Sequence, residues 1–197
     1  MFGKVSSMLL TRRSHGRQIK AILRAALLTA ITAAGPVMPA LATAAEGPSG
    51  LPLPRFVTTR SNPINVRVGP GTKYGVAWVY VKAGTPVEII QEFDTWRKIR
   101  DADGSEGWLH QNLLQGKRAG LVDPASAEPV ALRRDPNDQA GVRAWLTPSF
   151  RVDLKECDGK WCKVVATAHP VNGSPQSFDG WVHQGDLWGV YKDEAFD

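Results

Sequence analysis

The five residues Gly107, Trp108, Leu109, His110, Gln111 return in the second half of the chain as Gly180, Trp181, Val182, His183, Gln184. Such self-similarity constrains the architecture more than composition does, because a duplicated segment means one small unit folded twice. The flanks repeat as well. Glu92, Phe93, Asp94, Thr95, Trp96 precede the first copy, and Glu156, Cys157, Asp158, Gly159, Lys160, Trp161 precede the second. The spacing differs: Trp96 to Trp108 is 12 residues, whereas Trp161 to Trp181 is 20. The added residues fall in the Pro/Gly/Ser/Asn-rich stretch His169 to Phe178, which predicts a longer hairpin loop in the second unit.

Residues 1–44 read as an export signal. Lys4, Arg12, Arg13, Arg17, Lys20 and Arg24 form a basic region without an acid, an uncharged stretch follows from Ala25, and small residues surround Ala42 and Ala44. That order is expected of a cleavable secretory peptide cut after Ala42 or Ala44. A retained membrane anchor is the rival reading, and a twin-arginine signal is weaker because His15 and Gly16 stand where apolar residues belong. Six of the 24 Lys and Arg lie in this segment and none of the 19 acids, so the remainder carries 18 against 19 and a net charge near −1. No basic stripe survives for nucleic acid or an anionic membrane surface.

Glu46 to Pro54 is Gly/Pro-rich and predicts a linker. From Arg55 the pattern is of short strands and frequent turns, with no run that makes a convincing amphipathic helix. Asn65 to Val68 alternates, Gly69, Pro70, Gly71, Thr72 turn the chain, and Val76 to Val81 is rich in strand formers. Val87 to Phe93 and Trp96 to Arg100 form a hairpin about Asp94 and Thr95, Asp103 and Gly104 mark another turn, and Gly107 to His110 closes the unit. Leu121 and Val122 are expected as an edge strand beyond it. In the second copy, Val130 to Arg133, Gly141 to Trp145, Phe150 to Glu156, Trp161 to Ala166 and Gly180 to His183 follow in the same order, with Trp145 answering Trp78.

Asn65, Val66, Arg67, Val68, Gly69, Pro70, Gly71, then Trp96, then Gly107, Trp108, Leu109, His110 resemble the signature of the bacterial SH3-like domain family of exported envelope proteins. The second copy lacks both turn glycines at Arg133, Arg134, Asp135, Pro136, so its first turn is expected to be built differently. The resemblance implies an all-β chain: two small SH3-like barrels in tandem after the signal peptide, with a linker at 45–54, domain 1 at 55–122 and a divergent domain 2 at 123–197.

Catalysis is not expected. A thiol enzyme needs a Cys beside an activating base, and the two repeats fill the chain to within nine residues of Asp197. Cys157 and Cys162, separated by a turn, are read as a disulfide across the base of a hairpin. A zinc site with His169 and His183 and a pair of free thiols are the alternatives. Asp101, Asp103 and Glu106 around Gly104 lack the spacing of a calcium loop. No metal or cofactor is expected. Seven Trp fall after Glu46, and Tyr74, Trp78, Tyr80, Trp96 and Trp108 are the candidate ligand groove, since aromatic walls suit sugar rings and proline-rich peptides. His110 and His183 are expected at strand ends, bonded to backbone.

The chain therefore reads as a non-catalytic binding module of the periplasm or cell envelope, its partner peptidoglycan or an envelope peptide. An adaptor that grips a partner protein through the stapled second domain is the alternative. Contact with membrane is expected only if the signal segment is retained.

Overall fold

The computed structural model describes residues 45–197. The predicted export segment and its cleavage points lie outside these residues. Among the described residues no helix is long and apolar enough to cross a membrane.

The expected linker is a short ribbon, β1 (Ala45–Glu46) against β2 (Pro52–Leu53). It is tied down by Glu92, whose carboxylate accepts from the Ser49 amide and hydroxyl at 2.8 Å each and from Arg55 at 2.6 Å. Burial pushes the Glu92 pKa up, but the donors from Arg55 and Ser49 outweigh it and hold the group below the usual carboxylate range.

The first sheet contains β3 (Arg55–Thr59), β4 (Ile64–Arg67), β5 (Val76–Tyr80), β6 (Pro86–Phe93), β7 (Trp96–Arg100), β8 (Glu106–His110) and β9 (Leu114–Gln115). The second contains β10 (Ala119–Val122), β11 (Val130–Arg133), β12 (Val142–Leu146), β13 (Arg151–Asp158), β14 (Trp161–Ala168), β15 (Gln176–His183) and β16 (Leu187–Trp188). The terminal β17 (Ala195–Phe196) pairs with the far end of β13. Strand order is β5-β4-β8-β7-β6-β3-β9 in the first sheet and β12-β11-β15-β14-β13-β10-β16 in the second, all antiparallel where paired. The duplication extends to irregularities. Bulges interrupt β4 at Val66/Arg67 and β11 at Leu132/Arg133, and β6 at Ile89/Gln91 and β13 at Leu154/Glu156. A 3-10 turn follows the motif each time, at Gln111–Leu113 and Gln184–Asp186.

Two corrections follow. The sheets are bent but are not closed barrels. Closure requires the end strands of a sheet to pair with each other, and here one end strand is only two residues long, β9 or β16, and pairs with β3 or β10 alone. Leu121 and Val122 do not extend the first sheet. They lie in β10, which pairs with β13 and β16 of the second. The extra length of the second unit is mostly strand: β14 and β15 have eight residues each against five in β7 and β8, and pairing continues to Ala168↔Gln176.

Alternation places one face of each strand inward. Ile64, Val66, Val87, Ile89, Ile99 and Leu109 centre the first core; Leu132, Val152, Cys162, Val164 and Val182 centre the second. The glycine of the repeated motif is explained here. A Cβ on Gly107 would collide with Val66 and the Trp78 ring, and one on Gly180 would lie 2.5 Å from the Arg133 carbonyl, so each permits the strand crossing that bends its sheet. Cys157 and Cys162 are joined as a cross-strand disulfide between β13 and β14. No free cysteine remains.

The two sheets share an interface. Phe56 on β3 meets Trp188 edge-on at 5.1 Å and Tyr191 at 4.7 Å between ring centres. Tyr191 donates its hydroxyl to Glu88 at 2.9 Å, and Arg151 Nε donates to the Gly84 carbonyl at 2.6 Å. The apolar stretch after Asp186 is thus the mortar between the two units.

Candidate functional site

Arg67 closes β4 at the bulge, and its backbone pairs with Trp108. Its guanidinium donates to the Tyr74 carbonyl at 2.6 Å, bracing the turn that separates β4 from β5. Within that turn Gly71 N donates to Gly69 O at 2.9 Å, Tyr74 N to Gly71 O at 3.2 Å, and Val68 N to Gly75 O at 3.0 Å. The Tyr74 ring folds back over Gly69, where any Cβ would stand 2.6 Å from it.

Beside this turn a cleft of about 300 Å³ runs along the outer face of the sheet. Pro63, Asn65, Arg67 and Thr72 form one wall; Trp96, His110 and Leu113 form the other. Trp96 stands edge-on to His110 at 5.6 Å, and His110 Nδ1 accepts from the Asn112 amide at 3.3 Å, which fixes the imidazole as a cap of the 3-10 turn. No carboxylate lines the cleft. It offers an aromatic face, a guanidinium, an amide, a hydroxyl and an imidazole, a set suited to a neutral polar ligand such as a sugar or a peptide backbone.

The five aromatic residues expected to share a groove are not gathered into one. Trp96 lines the cleft. Trp108 lies on the same outward face of its strand, opposite Lys98. Tyr74 is exposed on the turn. Trp78 packs against the first core, edge-on to Tyr80 at 6.3 Å, and Tyr80 is buried with its hydroxyl donating to Asp101 at 2.6 Å. Burial first, and then that acceptor, push the Tyr80 phenol far above its ordinary pKa. Arg67, Asn65, Thr72, His110 and Pro63 are the cleft residues the aromatic criterion missed. The recurrence of Pro63, Arg67 and His110 as Pro129, Arg133 and His183 was the signal that could have found them.

The equivalent cleft of the second unit is lined by Pro129, Ala131, Arg133, Trp145, His183 and Asp186, among others. Its volume, about 320 Å³, matches that of the first, but its walls differ. Asp138, at the place of Thr72, bonds His183 Nε2 at 2.7 Å, and His183 stacks on Trp161 at 3.7 Å. The bond to His183 holds the Asp138 carboxyl below its usual range. His183 therefore bonds a side chain and not backbone as expected. Trp161, the counterpart of Trp96, is only 3% exposed. Trp145 does not answer Trp78: it pairs with Ala131 as Val79 pairs with Asn65, and so faces outward.

Nor is the second turn built differently. Asn137 N to Asp135 O, Ala140 N to Asn137 O and Arg134 N to Gly141 O repeat the hydrogen bonds of the first, at 2.8, 3.1 and 3.0 Å. Arg133 donates to the Ala140 carbonyl as Arg67 does to that of Tyr74. Among the described residues no group of three or more His, Cys, Asp or Glu could hold a metal ion.

The family described as bacterial SH3 domain is matched twice, over residues 60–116 and 126–189. The chain belongs to the bacterial SH3 domain family. It carries that domain in tandem. This SH3 protein is 27% identical over 120 residues to YrvJ of Bacillus subtilis (strain 168), named as a candidate N-acetylmuramoyl-L-alanine amidase; the match covers 60% of the chain and 23% of that relative. The chain thus spans less than a quarter of the relative's length. Two solved structures from Trichomonas vaginalis, NlpC2 and NlpC1, align with a TM-score of 0.28 each. NlpC2 is 10% identical over 68% of this chain and 48% of its own, and NlpC1 is 12% identical over 78% and 51%.

Proposed function

We propose that this tandem SH3 protein is an exported binding module of the cell envelope, recognising peptidoglycan or an envelope peptide through the cleft of its first domain. The observation that carries this reading is the contrast between two equivalent tryptophans: Trp96 lines the cleft of the first domain, whereas Trp161 is buried under His183 and does not line that of the second. An aromatic wall with a guanidinium, an amide and a hydroxyl beside it and no carboxylate suits a sugar ring or peptide backbone better than a cation. Similarity to a relative named for cell-wall amidase activity supports a cell-wall ligand. The basic, then apolar, then small-residue order of positions 1–44 supports export.

The test is retention of the purified chain on isolated sacculi at low salt. Retention that falls at least tenfold in Trp96→Ala supports the cleft, on the roughly 1 to 3 kcal/mol that one aromatic contact supplies. No retention of the parent chain sinks the cell-wall version. A second reading, an adaptor for a partner protein through the second domain, is favoured by Trp145, which is 65% exposed. That reading requires a protein adduct in cells that persists after the wall is digested and disappears in Trp145→Ala.

A further inference from the structure

Where the domains meet, a crevice of about 610 Å³ opens between Asn62, Val81, Lys82 and Thr85 on the first and Ser149, Phe150, Arg151, Thr167 and His169 on the second. Neither sheet forms it alone. Its volume lies in the range of small-ligand pockets. Its charge is one-sided: Lys82 and Arg151 line it, with the His169 imidazole, and no Asp or Glu does. Val81, Leu121 and Phe150 supply an apolar surface, and Thr85, Ser149 and Thr167 supply hydroxyls.

We infer that this crevice is a second ligand site, for a short aliphatic peptide bearing a free C-terminal carboxylate. The occupant follows from the wall chemistry. Phosphate recognition favours a bidentate guanidinium fork, but Arg151 already spends Nε on the Gly84 carbonyl and Nη2 on Asp153 at 2.7 Å. Lys82 is a point charge with its ammonium exposed, which suits one carboxylate. A sugar would need a broad aromatic platform, and no Trp lines the crevice. Small aliphatic side chains fit against Val81 and Phe150, while the hydroxyls meet the peptide amides. Ser149, on the second wall, is held at φ 63°, an uncommon conformation for a residue with a side chain. Ser149 N to Val122 O at 2.9 Å and Phe150 N to Thr147 O at 3.0 Å hold this corner, both of whose residues line the crevice.

The test is chemical-shift mapping on the full chain with four probes: N-acetyl-L-alanyl-L-alanine, its D,D form, and the C-terminal amide of each. Expected are shifts centred on residues 81–85 and 149–151 with a free acid, binding at least about tenfold weaker for the matching amide, and a similar loss in Lys82→Gln, the size expected for one charge-assisted contact. The D,D form preferred points to a cell-wall stem peptide as the source, the L,L form to a protein terminus, and either result supports the site. Equal affinity for acid and amide, absence of shifts with all four probes, or unchanged binding in Lys82→Gln overturns it. Shifts confined to Trp96, His110 and Arg67 also overturn it, because they would place the peptide in the first-domain cleft.

Discussion

A methyl group at position 69 would stand 2.6 Å from the Tyr74 ring, while in the second domain Asp135 occupies the matching place and Ala140 stands for Tyr74. The glycine of the family signature is thus a demand of its neighbour and not of the turn itself, whose hydrogen bonds survive unaltered with Asp135 and Asn137. Gly69→Ala should cost about 1 to 3 kcal/mol by overpacking. Tyr74→Ala should remove most of that cost, a coupling read from urea unfolding of both single variants and the double. Additive losses would show that the turn needs its glycine for another reason. The same comparison accounts for the two histidines. His110 is turned to the backbone of the 3-10 turn because Thr72 offers it no charge, and His183 is drawn away by Asp138.

At the scale of the strand, the hairpin β13–β14 carries the one covalent cross-link, and β17 lies against it. Arg118 donates to Glu194 at 2.6 Å and its guanidinium covers Phe196 at 4.5 Å, so the terminal strand is held by both charge and packing. The disulfide encloses a short loop, and its loss in Cys157→Ala with Cys162→Ala should lower stability by about 2 kcal/mol. A urea midpoint unchanged by the double substitution would show that the packing of β17 makes the link redundant. Strands and turns in this chain were largely legible from alternation and from the Asp, Gly and Pro turn residues, because those signals are local. Leu121 and Val122 were assigned to the wrong sheet because a short apolar run does not name its partner strand. Trp145 was matched to Trp78 by residue type, although the offset that carries Arg67 to Arg133 carries Val79, not Trp78, to Trp145. Closure into barrels was implied by the family resemblance, whereas the two-residue end strands leave no ladder to close it. The cleft was half legible: its Trp96 was found by residue type, whereas its polar wall was missed, because polar side chains on a strand carry no signal of what they face.

For the molecule as a whole, the contact of Phe56 with Trp188 and Tyr191 makes two small sheets into one thermodynamic body. Domains of this size are marginal alone, and buried aromatic truncations cost about 3 to 5 kcal/mol. Calorimetry should therefore show a single transition for the parent chain and two separated transitions, or one at a much lower temperature, for Phe56→Ala. A single transition at the parent temperature would mean the interface contributes nothing to cooperativity. Loss of this contact would also open the crevice lined by Lys82 and Arg151, linking its geometry to the aromatic stack. The stack has a consequence in time as well as in space. A chain is made from its N terminus, so Phe56 exists long before Trp188 and Tyr191 do. Until those late residues arrive the first sheet presents an uncovered apolar side chain. A product interrupted before Trp188 would therefore carry a sticky, recognisable defect on an otherwise finished first sheet.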